Sequence, residues 1–173
     1  LAKTLMGIHQ DFDFGDEMIL EEAGRVQEGK LFVQERSYSI VIVPRVATLF
    51  SGTVKLLNDF MDQGGKVIWT GPMISMVNGR YIPEISEPGA DADRCELRRL
   101  AQHPNLQRAE DYEQAVSRLN HIHPRLLRVK NDRMQEDTDI LAMIRKTEDG
   151  YLIFAANNDR EHQHRVMLRF AAP

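Results

Sequence analysis

The chain has 173 residues, of which 42% are hydrophobic and 28% charged, a length that suits one domain or a domain with a small appendage and falls short of a catalytic TIM barrel. Its formal charge is −4, the wrong sign for a protein that works on phosphate backbones, so nucleic acid is not an expected partner. The single cysteine, Cys95, excludes an internal disulfide and a cysteine-based zinc cage, and no apolar run approaches the roughly 20 residues of a membrane span.

Taken in chain order, Leu1, Leu5 and Ile8 recur at helical spacing and predict a first helix, after which the chain turns through residues 11–15. A short helix is expected over residues 17–22, and residues 25–34 read as a hairpin through Glu28-Gly29. The strongest signal is Ser39-Ile40-Val41-Ile42-Val43, a β-branched run without polar alternation, as expected of a parallel strand buried on both faces. Pro44 ends it. Ser51 is placed to cap the next helix, whose stripe of Val54, Leu57 and Met61 stops at Gly64-Gly65, and Lys66-Val67-Ile68-Trp69-Thr70 forms the next strand. Strand, helix and strand in this spacing make a βαβ crossover, which is right-handed almost without exception and places helices over a parallel sheet.

Residues 72–90 carry Pro72, Asn78-Gly79, Pro83 and Pro88-Gly89, the punctuation of an irregular excursion or a small hairpin. Helices are expected over residues 91–102 and 110–119. Beyond His123-Pro124 the texture turns to β, with strands over residues 125–130, 140–145, 151–156 and 165–170 and a hairpin turn at Glu148-Asp149-Gly150. An α/β domain over residues 1–122 and a small antiparallel β module over 123–173 follow from this change. The opening at Leu1 without methionine is read as that of a piece excised from a longer polypeptide.

Several residues invite chemistry. Asp11, Asp13, Asp16, Glu17, Glu21 and Glu22 crowd residues 11–22. As a calcium loop the run has Gly15 and Asp16 where a ligand and a glycine are needed; as a catalytic carboxylate pair it lacks a second wall to hold a sugar. The remaining readings are helix capping with a solvated turn, or a rim that faces substrate or another domain. His121-x-His123 and His162-x-His164 would each bring two imidazoles to one side of an extended segment, but without a carboxylate at fixed spacing they read as solvated, and no metal or cofactor is expected. Gly64-Gly65 precede a strand, whereas phosphate-cradling glycines follow one. Ligands on open parallel sheets collect beyond the carboxyl ends of the strands, which singles out Arg45 and Gly71. Trp69, inside a strand, is expected in the core.

In order along the chain, Asp11-Phe12-Asp13-Phe14-Gly15-Asp16-Glu17, Gly29-Lys30-Leu31, Tyr38 through Pro44, Phe60, Gly64-Gly65-Lys66-Val67-Ile68 and Gly71-Pro72 form a pattern that resembles the non-catalytic domain downstream of the barrel in large bacterial glycoside hydrolases. It is similar to the trimerisation domain of family 42 β-galactosidases and to domains of the family 106 α-L-rhamnosidases. The resemblance covers most of the chain, and Ile144-Arg145 through Phe154 looks like the opening of a following β-sandwich. It implies a flavodoxin-like, class I glutamine amidotransferase-like three-layer sandwich with a mostly parallel sheet. An amidotransferase needs a cysteine on a tight strand-to-helix elbow, and Cys95 lies between Arg94 and Glu96 within an expected helix. The resemblance therefore implies an inactive accessory domain in the bacterial cytoplasm or periplasm. Its partners would be the catalytic barrel of its parent, carbohydrate at the rim of Asp11, Asp13, Asp16, Arg45 and Gly71, and further copies of itself, but no membrane. A stand-alone ligand-binding protein with a degenerate amidotransferase-like fold is the alternative.

Overall fold

A computed structural model describes residues 1–82 and 92–171. The chain is a mixed α/β protein with parallel and antiparallel sheets. It divides into two compact units, one formed by Leu1–Asp13 with Leu119–Pro173 and the other by Phe14–Arg118. Among the described residues no helix is long and apolar enough to cross a membrane.

The contiguous unit opens with α2 (Glu17–Ala23), which follows α1 (Ala2–Gly7) in the chain. Three short strands, β1 (Gly24–Gln27), β2 (Lys30–Val33) and β3 (Arg36–Tyr38), then form an antiparallel meander. The β1-β2 hairpin turns at Glu28 and Gly29, both with positive φ (52° and 72°), the backbone twist that matches flanking strands. The central sheet holds β4 (Ile40–Val43), β6 (Lys66–Thr70) and β9 (Leu106–Ala109) in the order β4-β6-β9, all parallel. The middle strand, β6, has Val67, Ile68 and Trp69 fully buried, so it is covered on both faces. On the edge strand β4, by contrast, Ile40, Val41 and Ile42 are only half-buried, and the expectation of full burial fails there because that strand has one neighbour instead of two.

Between β4 and β6 run β5 (Thr48–Leu49) and α3 (Ser51–Asp62). The α3 stripe is Val54, Leu57, Phe60 and Met61, each no more than 3% exposed, and it shares a core with Leu31, Val43, Leu49, Trp69, Val77 and Leu100. Ser51 does not cap this helix; the cap residue is Phe50, whose side chain has no hydrogen-bonding group to offer. Distant side chains satisfy the free amides instead, since the Phe50 N–H donates to Glu17 Oε2 (2.7 Å) and the Ser51 N–H to Asn78 Oδ1 (3.0 Å). The excursion after β6 contains a hairpin of β7 (Met76–Val77) and β8 (Arg80–Tyr81), with β7 parallel to β5. Residues 83–90 of that excursion and Asp91, the expected first residue of the next helix, lie outside the described residues. Next come α4 (Ala92–Gln102), β9 and the first turns of α5 (Tyr112–Ile122).

The second unit carries α1 and the strands β10 (Leu127–Asn131), β11 (Ile140–Lys146), β12 (Tyr151–Asn157) and β13 (Val166–Phe170). They pair as two antiparallel ribbons, β10-β13 and β11-β12. The rings of Tyr151 and Phe170 meet at 4.9 Å between centroids. A polar network ties the segment after α1 to this module. The buried His9 points Nε2 at the carbonyls of Asp137 (3.1 Å) and Ile140 (2.9 Å), while Arg125 donates to the Ile8 carbonyl (2.6 Å) and to Glu136 (2.9 Å). Two acceptors on Nε2 place its proton there. Burial alone would raise the Glu136 carboxyl, but bonds from Lys130 and Arg125 outweigh it and hold that group below the usual glutamate range.

Candidate functional site

The parallel sheet places three chain segments side by side where its strands end. Val43 leads into Pro44 and Arg45, Thr70 into Gly71 and Pro72, and Ala109 into Glu110 and the start of α5. These segments line an open cleft of about 510 Å³ together with Arg108, Gln114 and Arg118. The Gly71 N–H donates to the Ala109 carbonyl (2.7 Å), which locks the ends of β6 and β9 together. Gly71 has φ +83°, and a Cβ there would lie 2.9 Å from Arg45 Nε. The backbone conformation thus calls for glycine, and the exposed Arg45 side chain lies across it.

The cleft is dominated by positive charge, with Arg45, Arg108 and Arg118 set against Glu110. Among the described residues none of the three guanidinium groups has an ion-pair or hydrogen-bond partner, and Arg118 Nε is buried without an acceptor. At the opening of α5, Asp111 accepts from the Gln114 N–H (2.7 Å) and Gln114 Oε1 accepts from the Glu110 N–H (2.9 Å). These bonds fix Gln114 by its oxygen, and its amide NH₂ has no acceptor among the described residues. Among the described residues no serine, cysteine or histidine lines the cleft, so these lining residues hold no nucleophile of the acyl-transfer kind. Cys95 is exposed on α4.

Of the five residues expected to form one rim, the structure brings Arg45 and Gly71 together in the cleft. Asp16 is the N-cap of α2, accepting from the Met18 (2.9 Å) and Ile19 (3.2 Å) amides, and it does not line the cleft. The capping role expected of the acidic run is filled at α2 by Asp16. Asp11 and Asp13 belong to the other unit, where Asp11 is bound by Arg145 (2.8 Å). Arg108 and Arg118 were not anticipated, because the strand that delivers Arg108 carries little β signal of its own.

Comparison of the chain with protein-family models, curated proteins and solved structures gives no match.

A second cluster lies in the discontinuous unit. His164 is held between two carboxylates, with Nδ1 2.9 Å from Asp137 Oδ2 and Nε2 3.1 Å from Asp159 Oδ2. His162 Nδ1 reaches the same Asp159 oxygen at 2.8 Å. The pair expected to be solvated thus shares a carboxylate, with His162 exposed and His164 half-buried. His121 and His123 are exposed, as expected of solvated histidines; α5 runs through His121 to Ile122, so the extended segment that would pair them is not formed. The bonds to Asp137 and then Asp159 raise His164 above its ordinary value of 6.5. Asp159 is held well below the usual aspartate range, first by the Glu161 backbone N–H and then by His164 and His162. Asp137, Asp139 and His164 each offer a ligand atom within 4.8 Å of the others, a donor set suited to a divalent ion. Both ring nitrogens of His164 are already turned to carboxylate oxygens, however, so the ring itself acts as the cation of this cluster and a metal would have to displace its proton.

Proposed function

We propose that the chain is a non-catalytic accessory domain of a large bacterial glycoside hydrolase, supporting a catalytic barrel and contributing to the sugar pocket or to an oligomer interface. The finer fold of this reading is flavodoxin-like, a three-layer sandwich of the class I glutamine amidotransferase type, with which the parallel β4-β6-β9 sheet is compatible. The observation that carries the reading is the outer face of the β11-β12 ribbon. Residues opposed across an antiparallel pair share a face, so Met143 stands with Phe154 and Leu152 with Arg145. Met143, Leu152 and Phe154 are 38%, 48% and 55% exposed. A grouped apolar face of this kind marks a contact surface, and a neighbouring domain of the same polypeptide supplies its cover in this reading.

The gene provides the test. Its reading frame is expected to continue into a barrel-sized segment with paired carboxylates, and the chain alone is expected to leave nitrophenyl galactosides and rhamnosides intact. A gene encoding little beyond these residues, or hydrolysis by the isolated chain, would overturn the proposal. A stand-alone ligand-binding protein is the second reading, and the arginine-lined cleft favours it.

A further inference from the structure

We infer that the strand-end cleft is an oxyanion-binding site, which takes a small molecule through a phosphate or carboxylate group held by Arg45, Arg108 and Arg118. This deepens the ligand-binding reading of the cleft and holds equally if the chain is an accessory domain.

Three guanidinium groups face one cleft, and like charges gathered without counter-charges repel unless an anion joins them. Glu110 offsets one of the three, so the lining keeps an excess of two positive charges. Elsewhere in this chain Arg99 pairs with Asp62 and Arg125 with Glu136. Arg45, Arg108 and Arg118 find none among the described residues.

Burial adds a second, independent observation. Arg118 Nε is shut off from water with no acceptor, and a buried donor left unsatisfied costs about 1–3 kcal/mol. Among the described residues the Gln114 amide NH₂ in the same cleft also has no acceptor. An oxyanion in the cleft provides acceptors for the guanidinium groups and for that amide, and the planar fork of arginine matches carboxylate and phosphate oxygens in pairs.

Placement makes the third strand of the argument. The arginines come from three separate elements, Arg45 after β4, Arg108 on β9 and Arg118 on α5, and they converge only because the sheet aligns its strands there. Gly71 keeps the floor open for Arg45, since a Cβ at that position would clash with Arg45 Nε. The chemistry favours an anionic group over a neutral sugar, because hydroxyl recognition calls for mixed donors and acceptors and this lining is rich in donors.

The test is a titration of the whole chain with inorganic phosphate, and separately with citrate, followed by backbone amide shifts in nuclear magnetic resonance. Saturable shifts are expected at Arg45, Gly71, Glu110 and Gln114. Arg45→Gln and Arg108→Gln, both at exposed positions that spare the fold, should each weaken binding about tenfold, whereas Lys55→Gln, an exposed cation on α3 outside the cleft, should leave it unchanged. The phosphate and citrate arms separate the two oxyanion sources. Equal weakening by all three variants would reduce the effect to general electrostatics and overturn the inference. Shifts at the cleft with galactose but not with either anion would overturn the oxyanion assignment and leave the ligand-binding reading standing. No shift with any probe would overturn both.

Discussion

His164 shows how one side chain can carry a pH dependence. Its folded-state pKa is raised by Asp137 and Asp159, so its contribution to stability is full below the unfolded value of about 6.5 and is lost as pH rises through the folded one. Asp159 works in the opposite sense: its lowered pKa makes its contribution full above the unfolded value of 3.8 and removes it under acid. Both contributions are complete between those two unfolded values. The expected result is that the difference in thermal midpoint between the protein and His164→Gln is largest near pH 5 to 6 and shrinks towards pH 9. A difference that stays constant across that range would show that the imidazolium is not what the two aspartates hold. This arrangement was hidden in the sequence, because Asp137 lies 27 residues from His164 and only the pairing of β10 with β13 brings the two loops together.

At the scale of elements, the contact of α3 with α4 sets a buried polar link beside an exposed ionic one. Asn58, fully buried on α3, donates to the Glu96 carbonyl (2.9 Å) and to its carboxylate (2.7 Å). Asp62 and Arg99 form an ion pair whose side chains are each 43% exposed. Burial decides which matters. Asn58→Ala is expected to cost about 2 kcal/mol in chemical denaturation, and Arg99→Ala less than about 1 kcal/mol because water screens the pair. The reverse order would refute this account of the contact. Elements whose signal is local were legible in the sequence: the β-branched runs of β4 and β6, the apolar stripe of α3, and the hairpins at Glu28-Gly29 and Glu148-Asp149-Gly150. The strand β9 was not, since Leu106-Gln107-Arg108-Ala109 acquires its state from pairing with β6. The same gap hid half of the candidate site. Arg45 and Gly71 follow strands that can be read directly, whereas Arg108 and Arg118 become candidates only once β9 is known to stand beside them.

For the whole molecule, the informative feature is that one unit is contiguous and the other is built from both ends of the chain. The apolar core of Leu31, Val54, Phe60, Trp69 and Leu100 falls entirely within Phe14–Arg118. A fragment of residues 14–118 is therefore expected to unfold cooperatively on its own, and a non-cooperative melt would show that this core depends on the other unit. Residues 1–13 have no such independence, for His9 and Ile8 find their partners on the C-terminal module. During synthesis this order becomes a delay. His9 leaves the ribosome 128 residues ahead of Asp137, its first acceptor, an interval on the order of 10 s at ordinary elongation rates. Throughout that time Leu5, only 3% exposed in the finished protein, waits for the C-terminal strands, while the middle unit can already close. Residues made ahead of the middle unit are thus sheltered only after it, and until then they offer a chaperone an apolar hold.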